Sequence, residues 1–112
     1  NKKNDILQNL GVNRLSLKEY HSKLKEYMYV ENIEELKEGH IIRYINLANK
    51  DNIKLSNCAI ICNILINKSG IGLVIKIFNN KFITLFLDKI LLFKKFSNEE
   101  KMLLNALKLL SK

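Results

Sequence analysis

The stretch HIIRYINLANKDNIKLSNCAIICNILINKSGIGLVIKIFNNKFITLFLDKILLFKK, residues 40–95, decides the fold. It is a series of short Ile-, Leu- and Phe-rich segments separated by Asn, Lys and Gly. Ile71, Leu73, Ile75 and Ile77 alternate with Gly72, Val74, Lys76 and Phe78, the period-two pattern of a strand. Upstream, 40–47 and 58–66 read as strands around a polar loop at 48–57, and downstream 81–87 and 90–93 supply two more. Asn67-Lys68-Ser69-Gly70 and Asn79-Asn80 read as tight turns, because Gly and Asn tolerate a positive φ. Asp88-Lys89 separates the last two strands. Hairpin-length connections between about five strands predict an antiparallel meander, either a small SH3-like barrel or a strongly bent sheet.

Helices flank this module. Ile6, Leu7 and Leu10 form a short apolar stripe that Gly11 can end. Ser16-Leu17-Lys18-Glu19 has capping-box spacing, with Leu15 and Tyr20 placed for a hydrophobic staple. Leu17, Tyr20, Leu24 and Tyr27 share one helical face, which predicts a helix over 17–29. Residues 31–39 read as an acidic connector with one helical turn near 33–36. Ser97-Asn98-Glu99-Glu100 repeats the box ahead of Leu103, Leu104, Ala106, Leu107 and Leu110, a C-terminal helix with a broad apolar face. The reading is an α+β chain of one domain over 1–112. It divides into a helical part at 1–39, a five-stranded β-module at 40–96 and a C-terminal helix at 97–112.

Two strands go beyond fold. Residues 81–87 are apolar on both faces, Ile83, Leu85 and Leu87 on one and Phe82 and Phe86 on the other. In 58–66, Ile60, Ile64 and Ile66 oppose Ile61 and Leu65. A solvated antiparallel sheet normally alternates apolar with polar, so these strands expect cover on both sides, from terminal helices and from other protein chains. Ile61, Leu65, Phe78, Phe82 and Phe86 are the candidate partner-docking surface.

Charge is concentrated in the same module. Nine bases against two acids in 40–96 account for +7 of a formal net charge of +8. Arg43, Lys54, Lys76, Lys81, Lys94 and Lys95 are a candidate contact surface for nucleic-acid phosphates, or for another protein. Yet 17 of the 19 bases are Lys, whereas base readout favours the Arg fork, and no aromatic platform interleaves with them. Lys, Asn and Ile together number 47 of 112 and Pro is absent, as an AT-rich genome would produce, so codon usage accounts for part of the lysine excess.

Reactive residues are sparse. His21 and His40 are single surface-type positions, Asp51 and Asp88 sit in turns, and Gly70-Ile71-Gly72 lacks the following helix of a phosphate loop. Cys58 and Cys62 have no partner Cys or His at metal-ligand spacing. On one strand they would stand about 13 Å apart at ~3.3 Å per residue, beyond the ~7 Å a disulfide can bridge. The pattern points away from an enzyme, a metal or a cofactor, and towards a reducing, intracellular compartment. No apolar run approaches the ~20 residues of a spanning helix. The chain begins without Met, as a trimmed or ordered part of something longer would.

LKEGHIIRY at 36–44 followed by KLSNCAII at 54–61 resembles a small barrel-like domain of proteins from large nucleocytoplasmic DNA viruses. Its pattern is a Gly-polar-aliphatic-Ile-Arg-Tyr strand, a Leu-Ser-x-Gly-Gly-aliphatic strand and a basic hairpin. Here Cys58 and Ala59 stand where the two glycines would, and Phe82 falls near the aromatic of the hairpin. The resemblance covers about half the chain. It implies a virus-encoded structural protein located in the virion, of minor capsid or cementing type. The expectation is therefore a non-enzymatic subunit of a large assembly, with a basic nucleic-acid-binding accessory protein as the alternative.

Overall fold

A computed structural model describes residues 2–48 and 51–110; Lys50 and the last two positions of the expected C-terminal helix lie outside them. Helices α1 (Lys2–Gln8) and α2 (Arg14–Lys23) are followed by strand β1 (Tyr27–Tyr29) and a 3₁₀ turn at Ile33–Glu35. Strands β2 (Ile41–Asn46), β3 (Ala59–Asn67), β4 (Gly70–Ile77), β5 (Lys81–Phe86) and β6 (Ile90–Lys95) lead to helix α3 (Asn98–Leu110). All six strands form one antiparallel sheet in the order β1-β6-β2-β3-β4-β5. The α+β class and the order of helices and strands follow the sequence reading, with one strand more than expected.

That strand comes out of the expected helix over 17–29. The helix starts earlier and stops sooner. Asn13, not Ser16, is its N-cap: the Ser16 amide donates to Asn13 Oδ1 at 2.8 Å. Ser16 therefore lies in the first turn, and Leu15 is 81% exposed, so the staple to Tyr20 is not made. After Lys23 the chain extends, because Tyr27–Tyr29 find hydrogen-bonding partners along the edge of β6 (Tyr27 opposite Lys95, Tyr29 opposite Phe93). Lys3 Nζ donates to the Leu24 and Tyr27 carbonyls, both at 2.8 Å, satisfying acceptors freed where the helix ends. Tyr20, Leu24 and Tyr27 are nonetheless all buried together, as their shared apolar character predicts.

The remaining turns follow the sequence. Asn79 and Asn80 adopt φ of 70° and 59°, and Gly70 takes φ of 129° at the β3–β4 hairpin. At α3 the capping box closes in both directions, Glu100 N–H to Ser97 Oγ and Ser97 N–H to Glu100 Oε1, each at 3.1 Å.

Sheet curvature follows from one short connection. β5 and β6 are separated in the sheet by β2, β3 and β4, which in a flat sheet is about 19 Å at ~4.8 Å per strand. Only Leu87–Lys89 joins them, and the four steps from Phe86 to Ile90 reach about 14 Å at most. The sheet must therefore curl. It bends where β2 meets β3, which share only the pairs Ile41–Ile60 and Ile42–Ala59. Among the described residues no ladder joins β5 back to β6 or β1, so the sheet is bent and open rather than a closed barrel.

Curling creates two cores. Inside the bend, Ile42, Ile61, Leu73, Ile75, Leu85 and Leu92 pack with Val30 and Leu36. On the outer face of β1-β6-β2, Ile45, Phe93 and Tyr27 pack against Leu7, Tyr20 and Leu24 from α1 and α2. Tyr29 meets Phe93 edge-on, with ring centroids 5.8 Å apart. Replacing Phe93, which is fully buried, with Ala should lower stability by about 3–5 kcal/mol in urea unfolding. Asn13→Ala should cost about 1 kcal/mol, while Ser16→Ala should stay within ~0.5 kcal/mol, a contrast that the unfolding midpoints of the two variants read directly.

Candidate functional site

The outer face of the sheet is covered over one half only. α1 and α2 lie on β1-β6-β2, whereas the outer faces of β3, β4 and β5 carry three cross-strand rows. These rows are Leu65–Gly72–Phe86, Asn63–Val74–Thr84 and Ile60–Lys76–Phe82, and the last is extended by Ile41 of β2. A Cβ at Gly72 would meet Phe86 Cε1 at 3.7 Å and Thr84 Cγ2 at 3.4 Å, ordinary van der Waals contact. Phe82 and Phe78 are 61% and 69% exposed. A shallow concavity of about 360 Å³ lies between Ile41, Ile60, Lys76 and Phe78.

Four of the five expected docking residues, Leu65, Phe78, Phe82 and Phe86, are thus exposed. Ile61 is not: it is buried in the inner core. The reason is a bulge between Ile61 and Asn63, where Cys62 is the extra residue. A bulge shifts the alternation by one, so Ile61 points inward while Leu65, four residues on, points outward. Ile60 and Ile41 take the place expected of Ile61, and no feature of residue type marks the position of the bulge. The same bulge leaves Cys62 half-exposed, and Cys58 is exposed ahead of β3.

The expected basic surface divides. Arg43 is half-buried, with its guanidinium 5.8 Å from the Tyr27 ring and Nη1 donating to the Ser56 carbonyl at 3.2 Å. Lys94 is 8% exposed; its Nζ donates to the Glu35 carbonyl at 3.4 Å and stands 3.8 Å from the Glu100 carboxylate. Both cations are engaged within the fold. Lys95 follows Lys94 on a strand and so points to the opposite face. Lys76 belongs to the bare apolar face, whereas Lys81 pairs with Ile77, in phase with Ile75–Ile83, and so points to the opposite face. Lys54 lines a separate cleft of about 540 Å³ between the start of α2 and residues 51–55, with Glu19, Lys23 and Asp51. The six bases therefore do not make one phosphate-tracking patch.

Among the described residues no group of three or more His, Cys, Asp or Glu could hold a metal ion, and no helix is long and apolar enough to cross a membrane. A scan against protein-family models finds no match, and searches of curated proteins and of solved structures find no significant one.

α3 stands where the sequence places it, but it does not cover the sheet. Of the terminal helices expected to give some cover, α1 and α2 do so over β1-β6-β2, and no residue of α3 is buried. Its start is held by groups around His40. His40 Nδ1 accepts the Lys37 amide at 3.0 Å. Partial burial, followed by the nearby Lys94 charge, holds the His40 imidazole below its ordinary pKa. Glu100 is held below the usual carboxylate range, first by its bond from the Ser97 amide. Because folding lowers the His40 pKa, its stabilising contribution is present above the unfolded value and is lost as pH falls through the folded one. Urea midpoints should therefore drop as pH is lowered from about 7.5 to about 5, and His40→Asn should flatten that drop.

Proposed function

We propose that this chain works by binding, without catalysis, as a structural subunit of a larger assembly. The half-bare outer face carries this reading. A sheet whose outer side is covered by α1 and α2 over one half exposes Phe78, Phe82 and Phe86 over the other, and contiguous aromatic exposure of this kind marks a contact surface. Lys76 supplies a charged group within the apolar patch. The resemblance of residues 36–44 and 54–61 to a barrel-like domain of large DNA viruses supports a virus particle as the assembly, with a minor capsid or cementing role. The nucleic-acid alternative is left with fewer cations, since Arg43 and Lys94 are engaged inside the fold.

Sedimentation of material from the native source should place the chain in a multi-chain particle. The double variant Phe82→Ser/Phe86→Ser removes two exposed rings, so it should keep its far-UV circular dichroism but fail to enter that particle. Wild-type incorporation of the variant would overturn the reading. Generic duplex DNA should not be retained at low salt. Retention that collapses between about 50 mM and 200 mM salt would transfer the function to phosphate binding.

A further inference from the structure

α3 is turned the unusual way round. Lys101, Leu104, Asn105 and Lys108 recur at i, i+3, i+4 and i+7, and this stripe faces Lys25, Glu26 and Phe96 across an open cleft of about 360 Å³. Lys101 Nζ lies 3.1 Å from the Glu26 carboxylate. The capping box and the Glu100–Lys94 pair hold the helix start in the same orientation. Consequently Met102, Leu103, Leu107 and Leu110 point into solvent, at 53–83% exposure. A helix normally buries such a stripe.

The chain thus carries two unpartnered apolar surfaces, a convex helix stripe and a half-sheet with a shallow concavity. At about 200 Å² for a large apolar residue, the fractional exposures of Met102, Leu103, Leu107 and Leu110 correspond to roughly 540 Å², and those of Ile41, Ile60, Leu65, Phe78, Phe82 and Phe86 to roughly 590 Å². Brought together they would bury at most about 1,100 Å², just above the ~1,000 Å² that a specific interface should clear. Their charges are complementary as well. Glu99 stands one turn ahead of Met102 and Leu103 at the head of the helix stripe, and Lys76 is the one charged residue in the sheet row of Ile41, Ile60 and Phe82. Pairing two α3 helices alone would leave the sheet face bare and Lys76 without its counterpart.

We infer that α3 of one copy of this chain docks on the bare β3-β4-β5 face of a second copy, with Glu99 opposite Lys76. The inference rests on the assembly reading and names one of its contacts. Since helix and sheet are different surfaces, the contact is heterologous, and its repetition builds a ring or an open row of subunits.

The test uses the full chain in sedimentation-velocity and light-scattering measurements up to roughly 100 μM, far above a ~1 μM dissociation constant. Wild type should exceed the 13.1 kDa monomer mass in a concentration-dependent way. Leu107→Glu, on the helix, and Phe82→Glu, on the sheet, should each stay monomeric with unchanged circular dichroism, both sites being solvent-exposed. Mixed together they should form a 1:1 dimer and nothing larger, because each supplies the surface the other lacks. Glu99→Lys should weaken association at least several-fold, and adding Lys76→Glu in the same chain should restore it. A monomeric wild type, a single Glu variant that still self-associates, or a mixture that stays monomeric would overturn the inference. If wild type is monomeric while Phe82→Ser/Phe86→Ser is still excluded from the particle, the copy-to-copy contact fails and the assembly reading stands.

Discussion

The ladder between β2 and β6 is the constraint on which the rest of the molecule depends. Its five pairs run from Ile42–Lys94 to Asn46–Ile90, and apolar side chains leave it in both directions. Ile42 and Leu92 enter the inner core, while Ile45 and Phe93 enter the outer one. Such a pair is stable only if both of its faces are covered and its free edge is paired. β1 pairs the edge of β6, α1 and α2 cover the outside, and the β3-β4-β5 meander curls over the inside.

Curling has an asymmetric consequence. The inner faces of all the strands converge on one core, but their outer faces diverge, and two short helices reach only the half nearest β6. The other half keeps its aromatic residues in contact with water, at a cost of roughly 25 cal/mol for each Å² of apolar surface not removed from it. α3 could have supplied the missing cover. Instead its polar stripe faces its own domain, where Lys101 meets Glu26 and Glu100 meets Lys94. The chain thus leaves two apolar surfaces in water, one on the half-sheet and one on α3.

Much of the fold was legible in the residues. Period-two alternation over 71–78, Asn79-Asn80 and the Ser97–Glu100 box each act over a few residues, and each appears where its local chemistry requires. The expected helix over 17–29 went partly astray for a definite reason. Tyr20, Leu24 and Tyr27 are spaced for a helical face and do share a core, but the β6 edge offers Tyr27–Tyr29 hydrogen bonds that helical propensity could not foresee. Ile61 was assigned to the wrong face because a bulge changes parity without changing composition. Arg43 and Lys94 read as surface cations because a lysine or arginine codon does not reveal a carbonyl waiting at Ser56 or Glu35.

By itself, then, the sequence determined the α+β class, the positions of the central strands and turns, and the excess of apolar surface over what alternating strands require. Those properties follow from hydrophobic periodicity and from backbone preferences that act within a few residues. Tertiary structure alone decided which half of the sheet stays bare, which cations are engaged in the fold, and that the apolar stripe of α3 faces outward. Those outcomes depend on contacts between residues distant in the chain: a three-residue connection that forces the curl, a bulge that reverses a face, and the packing of a helix whose Lys101 and Glu100 meet Glu26 and Lys94.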